Sequence, residues 1–186
     1  GEGEEALVEL INHLQAKKDY TGVKNFWFKV DGEIIKNNLR PLITPLDKLP
    51  FPDRTDMFNY FKGYIKKDMM VSRGCYYNCT YCFNHVYNKM TEGKGKVLRF
   101  RSVDNVIAEM KEVKENYFLD RVHIDDDTFL IKPNGWLEEF AEKFPKEIGL
   151  PLLCNGRANL IYEDRVGKLL KDMGCRNMYL GVECAN

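Results

Sequence analysis

Ala6, Leu7, Leu10, Ile11 and Leu14 recur at helical spacing, with acidic residues before them and Lys17-Lys18 after. Residues 4–17 are therefore expected to form an amphipathic helix whose end charges suit its dipole. Residues 24–30 are aromatic and β-branched, Asp31-Gly32 is a strong two-residue turn signal, and residues 33–36 supply a returning strand, a pattern that predicts a β-hairpin. Prolines at 41, 45, 50 and 52 then interrupt any regular element, so residues 40–54 read as an extended linker between two bodies.

Beyond the linker, strand and helix patterns alternate. Strands are expected near residues 67–73, 121–126, 151–156 and 177–183. A helix begins near Val103 with Ser102 as its cap and buries Val106, Ile107, Met110 and Val113. A second, over residues 135–146, carries Trp136, Leu137, Phe140 and Phe144 on one face, and a third, over residues 163–173, presents Val166, Leu169, Leu170 and Met173 before Gly174 ends it. Four strands joined by helical crossovers imply an α/β fold with a parallel sheet and right-handed connections, in which ligands gather at the carboxyl ends of the strands.

The reactive residues follow strands. Three close cysteines come after the first, Asp125, Asp126 and Asp127 end the second, Arg157 ends the third and Glu183 the fourth. Strand alternation puts Leu153, Asn155 and Arg157 on one face, and likewise Tyr179, Gly181 and Glu183.

Composition narrows the function classes. In 186 residues, 28 basic side chains balance 28 acidic ones, so no global field recruits nucleic acid or an anionic membrane. No apolar run approaches the roughly 20 residues that span a bilayer, and no secretory leader opens the chain, which leads to the expectation of a cytoplasmic protein. The chain starts without methionine and stops just after an expected strand, so both ends read as cut. Of six cysteines, three crowd between Cys75 and Cys82, too close for a disulfide framework, and metal is the better reading.

Cys75, Cys79 and Cys82 offer three thiolates spaced four and three positions apart on one loop. Four thiolates saturate a 4Fe-4S cluster, whereas three leave one iron open to an exogenous ligand. A zinc site using the same cysteines plus His85 is the competing reading, in which the protein is a non-catalytic binding module. The loop resembles the C-x3-C-x2-C signature of the radical S-adenosylmethionine (SAM) superfamily, including an aromatic residue, Tyr81, before the last cysteine. The resemblance extends to the cobalamin-binding branch through Gly1-Glu2-Gly3-Glu4, the Leu46-Asp47 to Pro52 linker, Arg99-Phe100-Arg101-Ser102 and Asp126-Asp127-Thr128-Phe129.

This resemblance implies a partial TIM-like barrel over residues 67–186, a hairpin and linker over 19–66, and the end of a cobalamin domain over 1–18. It implies a 4Fe-4S cluster on the three cysteines, reductive cleavage of SAM to a 5'-deoxyadenosyl radical, possible use of cobalamin in methyl transfer, and an electron donor such as flavodoxin or ferredoxin. Tyr81, Asp126, Asp127, Arg157 and Glu183 are the expected cofactor contacts. The family's Gly-Gly-Glu segment is replaced here by Asp126-Asp127-Thr128, which keeps the acid but shifts it. Cys154, Cys175 and Cys184 read as small buried hydrophobes, and His13 and His123 as solvated or hydrogen-bonded side chains.

Overall fold

The computed structural model describes residues 2–56, 66–117, 119–161 and 164–182, and the chain forms two units, residues 1–44 with 76–97 and residues 45–75 with 98–186. In the first unit, α1 (Glu4–Gln15) carries Glu4 and Glu5 in its first turn, as its dipole favours. The apolar stripe falls on one face as the periodicity requires, yet only Ala6 is buried, while Leu7, Ile11 and Leu14 are 50%, 43% and 51% exposed. Arg40 pairs with Glu5 and Glu9 of this helix. β1 (Trp27–Val30) and β2 (Glu33–Lys36) form the expected antiparallel hairpin, in register Val30↔Glu33. Asp31 and Gly32 both take positive φ, +48° and +87°, which is what a two-residue turn of the right hand demands. The same unit contains α2 (Phe83–Met90), a helix that the hydrophobic pattern does not signal.

The second unit is built on a parallel sheet of β3 (Lys66–Met69), β6 (Arg121–Ile124), β7 (Leu152–Gly156) and β8 (Cys175–Leu180), in the spatial order β3-β6-β7-β8. The crossovers are α3 (Val103–Asn116), α4 (Trp136–Glu147) and α5 (Asp164–Asp172). Ser102 caps α3 as expected, its hydroxyl accepting from the Asn105 N–H at 3.2 Å. Met69, Val122, Ile124, Leu152 and Cys154 project from one sheet face into a core shared with Val106, Met110, Phe140 and Phe144. Trp136, Phe140 and Phe144 stack in succession along α4, with centroids 5.2 and 5.0 Å apart. Among the described residues, no helix is long and apolar enough to cross a membrane.

Residues 67–73 were expected as one strand, but pairing with the parallel sheet ends at Met69. Ser72–Arg73 (β4) pairs instead, antiparallel, with Arg99–Phe100 (β5). The cause is a side chain: the buried Asp126 carboxylate accepts the Val71 and Ser72 N–H groups at 2.8 and 3.1 Å and draws the backbone out of the parallel ladder.

The proline-rich segment is extended, as expected, except for a single 3-10 turn at Leu46–Lys48, and its far end is anchored. Glu109, 2% exposed, lies between Arg54, whose Nη2 is 2.5 Å from Oε1, and Arg101, which donates to Oε2. Asp47 accepts the Ser102 N–H at 2.9 Å, and the Arg101 guanidinium lies over the Phe51 ring. Glu109→Ala leaves two largely buried guanidinium groups without their acceptor and is expected to cost about 3–5 kcal/mol. Urea unfolding followed by Trp136 fluorescence measures this; a loss under about 1 kcal/mol would show that the triad does not anchor the segment.

Candidate active site

The cysteine loop begins at β4. Cys75 is buried in the second unit, one residue after Gly74, whose φ of +89° turns the chain out of the strand. Cys79 and Cys82 belong to the first unit, where the Cys82 N–H donates to the Cys79 carbonyl at 3.0 Å and closes a tight turn. Cys82 is the N-cap of α2, its sulfur 3.5 Å from the Asn84 N–H. His85 turns its Nδ1 back to the Cys82 carbonyl oxygen at 2.5 Å.

None of the five described cysteines is in a disulfide, so the loop offers three thiols, the number that holds a cluster with one open iron. Among the described residues no group of three or more His, Cys, Asp or Glu side chains is already gathered around a metal-sized point. That holds for the zinc set with His85 as for the cysteines alone. The chemistry of the donor set therefore carries the fit to the cluster.

Asp126 is where the sheet meets this loop. Its Oδ1 accepts the Val71 and Ser72 N–H groups, and its Oδ2 accepts from the Ser72 hydroxyl at 2.5 Å and from Lys132 Nζ at 3.0 Å. Both the Asp126 and Lys132 side chains are wholly buried. Lys132 Nζ also lies 5.1 to 5.6 Å from the ring centres of Phe129, Trp136 and Phe100. Burial pushes the Lys132 ammonium below its ordinary value, and Asp126 offsets part of that shift. The assembly fixes the backbone three residues before Cys75. Ser72 and Lys132 were not singled out from the sequence; the only signal available was a lysine six positions beyond an acid in an otherwise apolar run.

The other expected contacts have different surroundings. Asp127 is exposed beyond the end of β6, and Tyr81 is 66% exposed on the cysteine loop. Arg157 follows β7 directly, partly buried, with Nε 3.3 Å from the Asn159 side-chain oxygen. Glu183 lies outside the described residues, as does Cys184. Cys154 is buried as expected, its sulfur 3.9 Å from Cys175; that contact and burial push its thiol up, which keeps it neutral.

Strand alternation turns a second set of polar residues away from the helical core. His123, 6% exposed, has Nδ1 2.7 Å from the Asp68 carboxylate and Nε2 3.4 Å from the Asn155 side-chain oxygen, and Asn155 donates to Asp125 at 2.8 Å. Tyr179 meets the His123 ring edge-on at 5.5 Å. The hydrogen-bonded reading of His123 holds, but its partner Asp68 was not foreseen; the signal was an acid inside a strand.

The model of the radical SAM superfamily matches residues 69–186, which take in the cysteine loop and the α/β repeat from the last residue of β3 onward. The chain belongs to the radical SAM superfamily. Its relatives include an uncharacterized methyltransferase, PH0819, of Pyrococcus horikoshii, 28% identical over all of this chain and 40% of the relative. Another is the cytidylyl-2-hydroxyethylphosphonate methyltransferase of Streptomyces wedmorensis, 27% identical over 98% of this chain and 39% of the relative. The anaerobic magnesium-protoporphyrin IX monomethyl ester cyclase of Synechocystis is 27% identical over all of this chain and 37% of its own length. The chain thus spans about two fifths of the curated relatives it matches. Two solved radical SAM proteins share the fold. OxsB, a cobalamin-dependent enzyme with aqua-cobalamin and SAM bound, superposes with a TM-score of 0.74 at 22% identity, over 98% of this chain and 27% of that one. TsrM from Kitasatospora setae, a methyltransferase with cobalamin and a [4Fe-4S] cluster bound, gives 0.68 at 17%, over 98% and 37%. No comparison supports the zinc module.

Proposed function

We propose that this chain is the cluster- and SAM-binding part of a cobalamin-dependent radical SAM methyltransferase. The observation that carries the reading is the three-thiol loop that follows β4, just beyond the first strand of the parallel sheet, in a chain that belongs to this superfamily. The names of two relatives, and the cobalamin in both solved neighbours, support methyl transfer with cobalamin. When bound, the cluster and SAM supply reductive cleavage of the sulfonium carbon–sulfur bond, giving a 5'-deoxyadenosyl radical. Such a site needs one electron at a time, from a small donor such as flavodoxin or ferredoxin.

The chain's own side chains then have separable tasks. Cys75, Cys79 and Cys82 hold the iron. Asp126 and Lys132 set the backbone that leads into Cys75. At the carboxyl edge of the sheet, Arg157 offers a planar fork of donors to the SAM carboxylate and Asp127 an acceptor to its amino or hydroxyl groups, while Glu183, outside the described residues, is the second acceptor expected from the sequence. Tyr81, just before the last cysteine, is the loop's expected contact to the cofactor.

Arg157→Ala is expected to weaken SAM binding by about 2 kcal/mol or more, roughly thirtyfold in Kd, with iron content unchanged. Arg157→Lys keeps the charge without the fork and is expected to fall between the two. Equilibrium dialysis of labelled SAM on the anaerobically reconstituted protein measures both; an unchanged Kd in Arg157→Ala removes Arg157 from the cofactor site.

A further inference from the structure

Cys154 and Cys175 lie outside the cluster loop, yet their sulfurs are 3.9 Å apart on neighbouring strands. Cys154 is wholly buried on β7, whereas Cys175, the first residue of β8, is only partly buried. The two thiols are therefore unequal. The Cys154 thiol, as hydrogen-bond donor, holds the Cys175 thiol below its ordinary value with help from the Asn177 backbone, while the same contact and burial push Cys154 up. An accessible thiol that ionises readily beside a buried neutral one is the arrangement of an attacking and a resolving cysteine. A disulfide needs the two sulfurs to close to about 2.05 Å, so one backbone must give. Cys175 stands where it can. Gly174 before it has a φ of +72°, and Arg176 after it is the extra residue of a bulge, since Leu152 pairs with Cys175 but Leu153 with Asn177. Among the described residues β8 is also the edge of its sheet.

We propose that Cys154 and Cys175 form a peroxide-responsive dithiol, which closes to a disulfide between β7 and β8. The Cys175 thiolate attacks one oxygen of hydrogen peroxide, giving a sulfenic acid and releasing hydroxide, which takes up the proton that Cys175 gave. The Cys154 sulfur then forms the S–S bond and displaces the hydroxyl group, which leaves as water with the Cys154 proton. The two thiols lose two electrons, and the peroxide is reduced to two waters. Because closure moves the start of β8, the bond is strained, and a monothiol of the glutathione class reopens it. The pair acts without the cluster, so it stands apart from the function proposed above.

The full chain, kept free of iron by a chelator, is treated with a small excess of hydrogen peroxide, its remaining thiols are blocked with iodoacetamide, and its tryptic peptides are mapped by mass spectrometry. A cross-link joining residues 147–157 to residues 172–176 is expected, and glutathione is expected to remove it. Before oxidation, iodoacetamide should modify Cys175 at least about tenfold faster than Cys154. Cys154→Ala is expected to leave Cys175 as a sulfenic acid that dimedone traps, and Cys175→Ala to leave Cys154 unoxidised. In urea the preference for this pair should vanish, because it belongs to the folded sheet. Cys154 and Cys175 joined to the loop cysteines or to Cys184 as often as to each other, or both still open to iodoacetamide after peroxide, overturns the proposal. So does Cys154 alkylated as fast as Cys175 in the folded chain, or a cross-link that forms equally well in urea.

Discussion

Alanine at Cys75, Cys79 or Cys82 is expected to remove nearly all of the roughly four iron atoms that each reconstituted chain should hold, together with SAM cleavage. The physical reason is that a cluster with one iron open for SAM has no spare protein ligand: removing one of three thiolates leaves two irons without protein donors. Cys154→Ala and Cys175→Ala are the internal controls, because these thiols sit 3.9 Å apart in β7 and β8, away from the loop in sequence, and should leave iron content unchanged. His85→Ala completes the set. Its ring is tied to the Cys82 carbonyl, so its loss is expected to spare the cluster, whereas a zinc site would lose a ligand and bind zinc far more weakly. Iron and sulfide analysis beside 5'-deoxyadenosine chromatography reads all six variants. Iron retained in any single cysteine variant of the loop, or lost in His85→Ala, contradicts the assignment.

The second large effect is expected at the buried clamp behind the loop. Asp126→Ala strips the acceptor from two backbone N–H groups and leaves a buried ammonium with neither its carboxylate nor water, a change of about 3–5 kcal/mol, against a total stability of order 5–15 kcal/mol for a domain. Lys132→Met is expected to cost about 3 kcal/mol, since the carboxylate then keeps the two N–H groups and the Ser72 hydroxyl but loses its counter-charge. Because each variant strands the other partner, the double variant should cost less than the sum, by about 1–3 kcal/mol. Chemical denaturation of the four proteins closes the cycle; additive losses would mean that the two side chains act independently. Where Asp126→Asn still folds, the looser Val71–Ser72 backbone is expected to lower cluster retention, a readout that stability alone does not move.

The parallel sheet and its crossovers were readable because long elements carry their own evidence. Each of α3 and α4 has four or more apolar residues at helical spacing, and each strand is closed by a turn or a helix cap. Elements without that redundancy were missed. β4 and β5 are two residues each, too short for any period, and exist because Asp126 diverts the chain at Val71. α2 buries no residue and is capped by a cysteine, so neither the apolar pattern nor the usual capping residues announce it. The apolar stripe of α1 was read correctly, but whether a stripe is covered depends on what lies against it, and Leu7, Ile11 and Leu14 are open in the described residues.

At the site, the cysteine spacing was visible because three ligands to one inorganic core must be close in sequence if one loop is to bring them together. The clamp and the polar row were not. Ser72 and Asp126 lie 54 positions apart and meet only through the sheet, as do Asp68 and His123, 55 apart. A single sequence lists such residues without pairing them. Asp126 itself was named as a cofactor contact, and the structure adds that its four hydrogen bonds run to Val71, Ser72 and Lys132.

The most direct test of the central claim is electron paramagnetic resonance of the anaerobically reconstituted, dithionite-reduced chain, recorded without and then with SAM. The account predicts the signal of a reduced 4Fe-4S cluster whose g-values change on adding SAM, because the cofactor's amino and carboxylate groups reach the iron that the three cysteines leave open. An iron-free protein that retains zinc on the loop would contradict it.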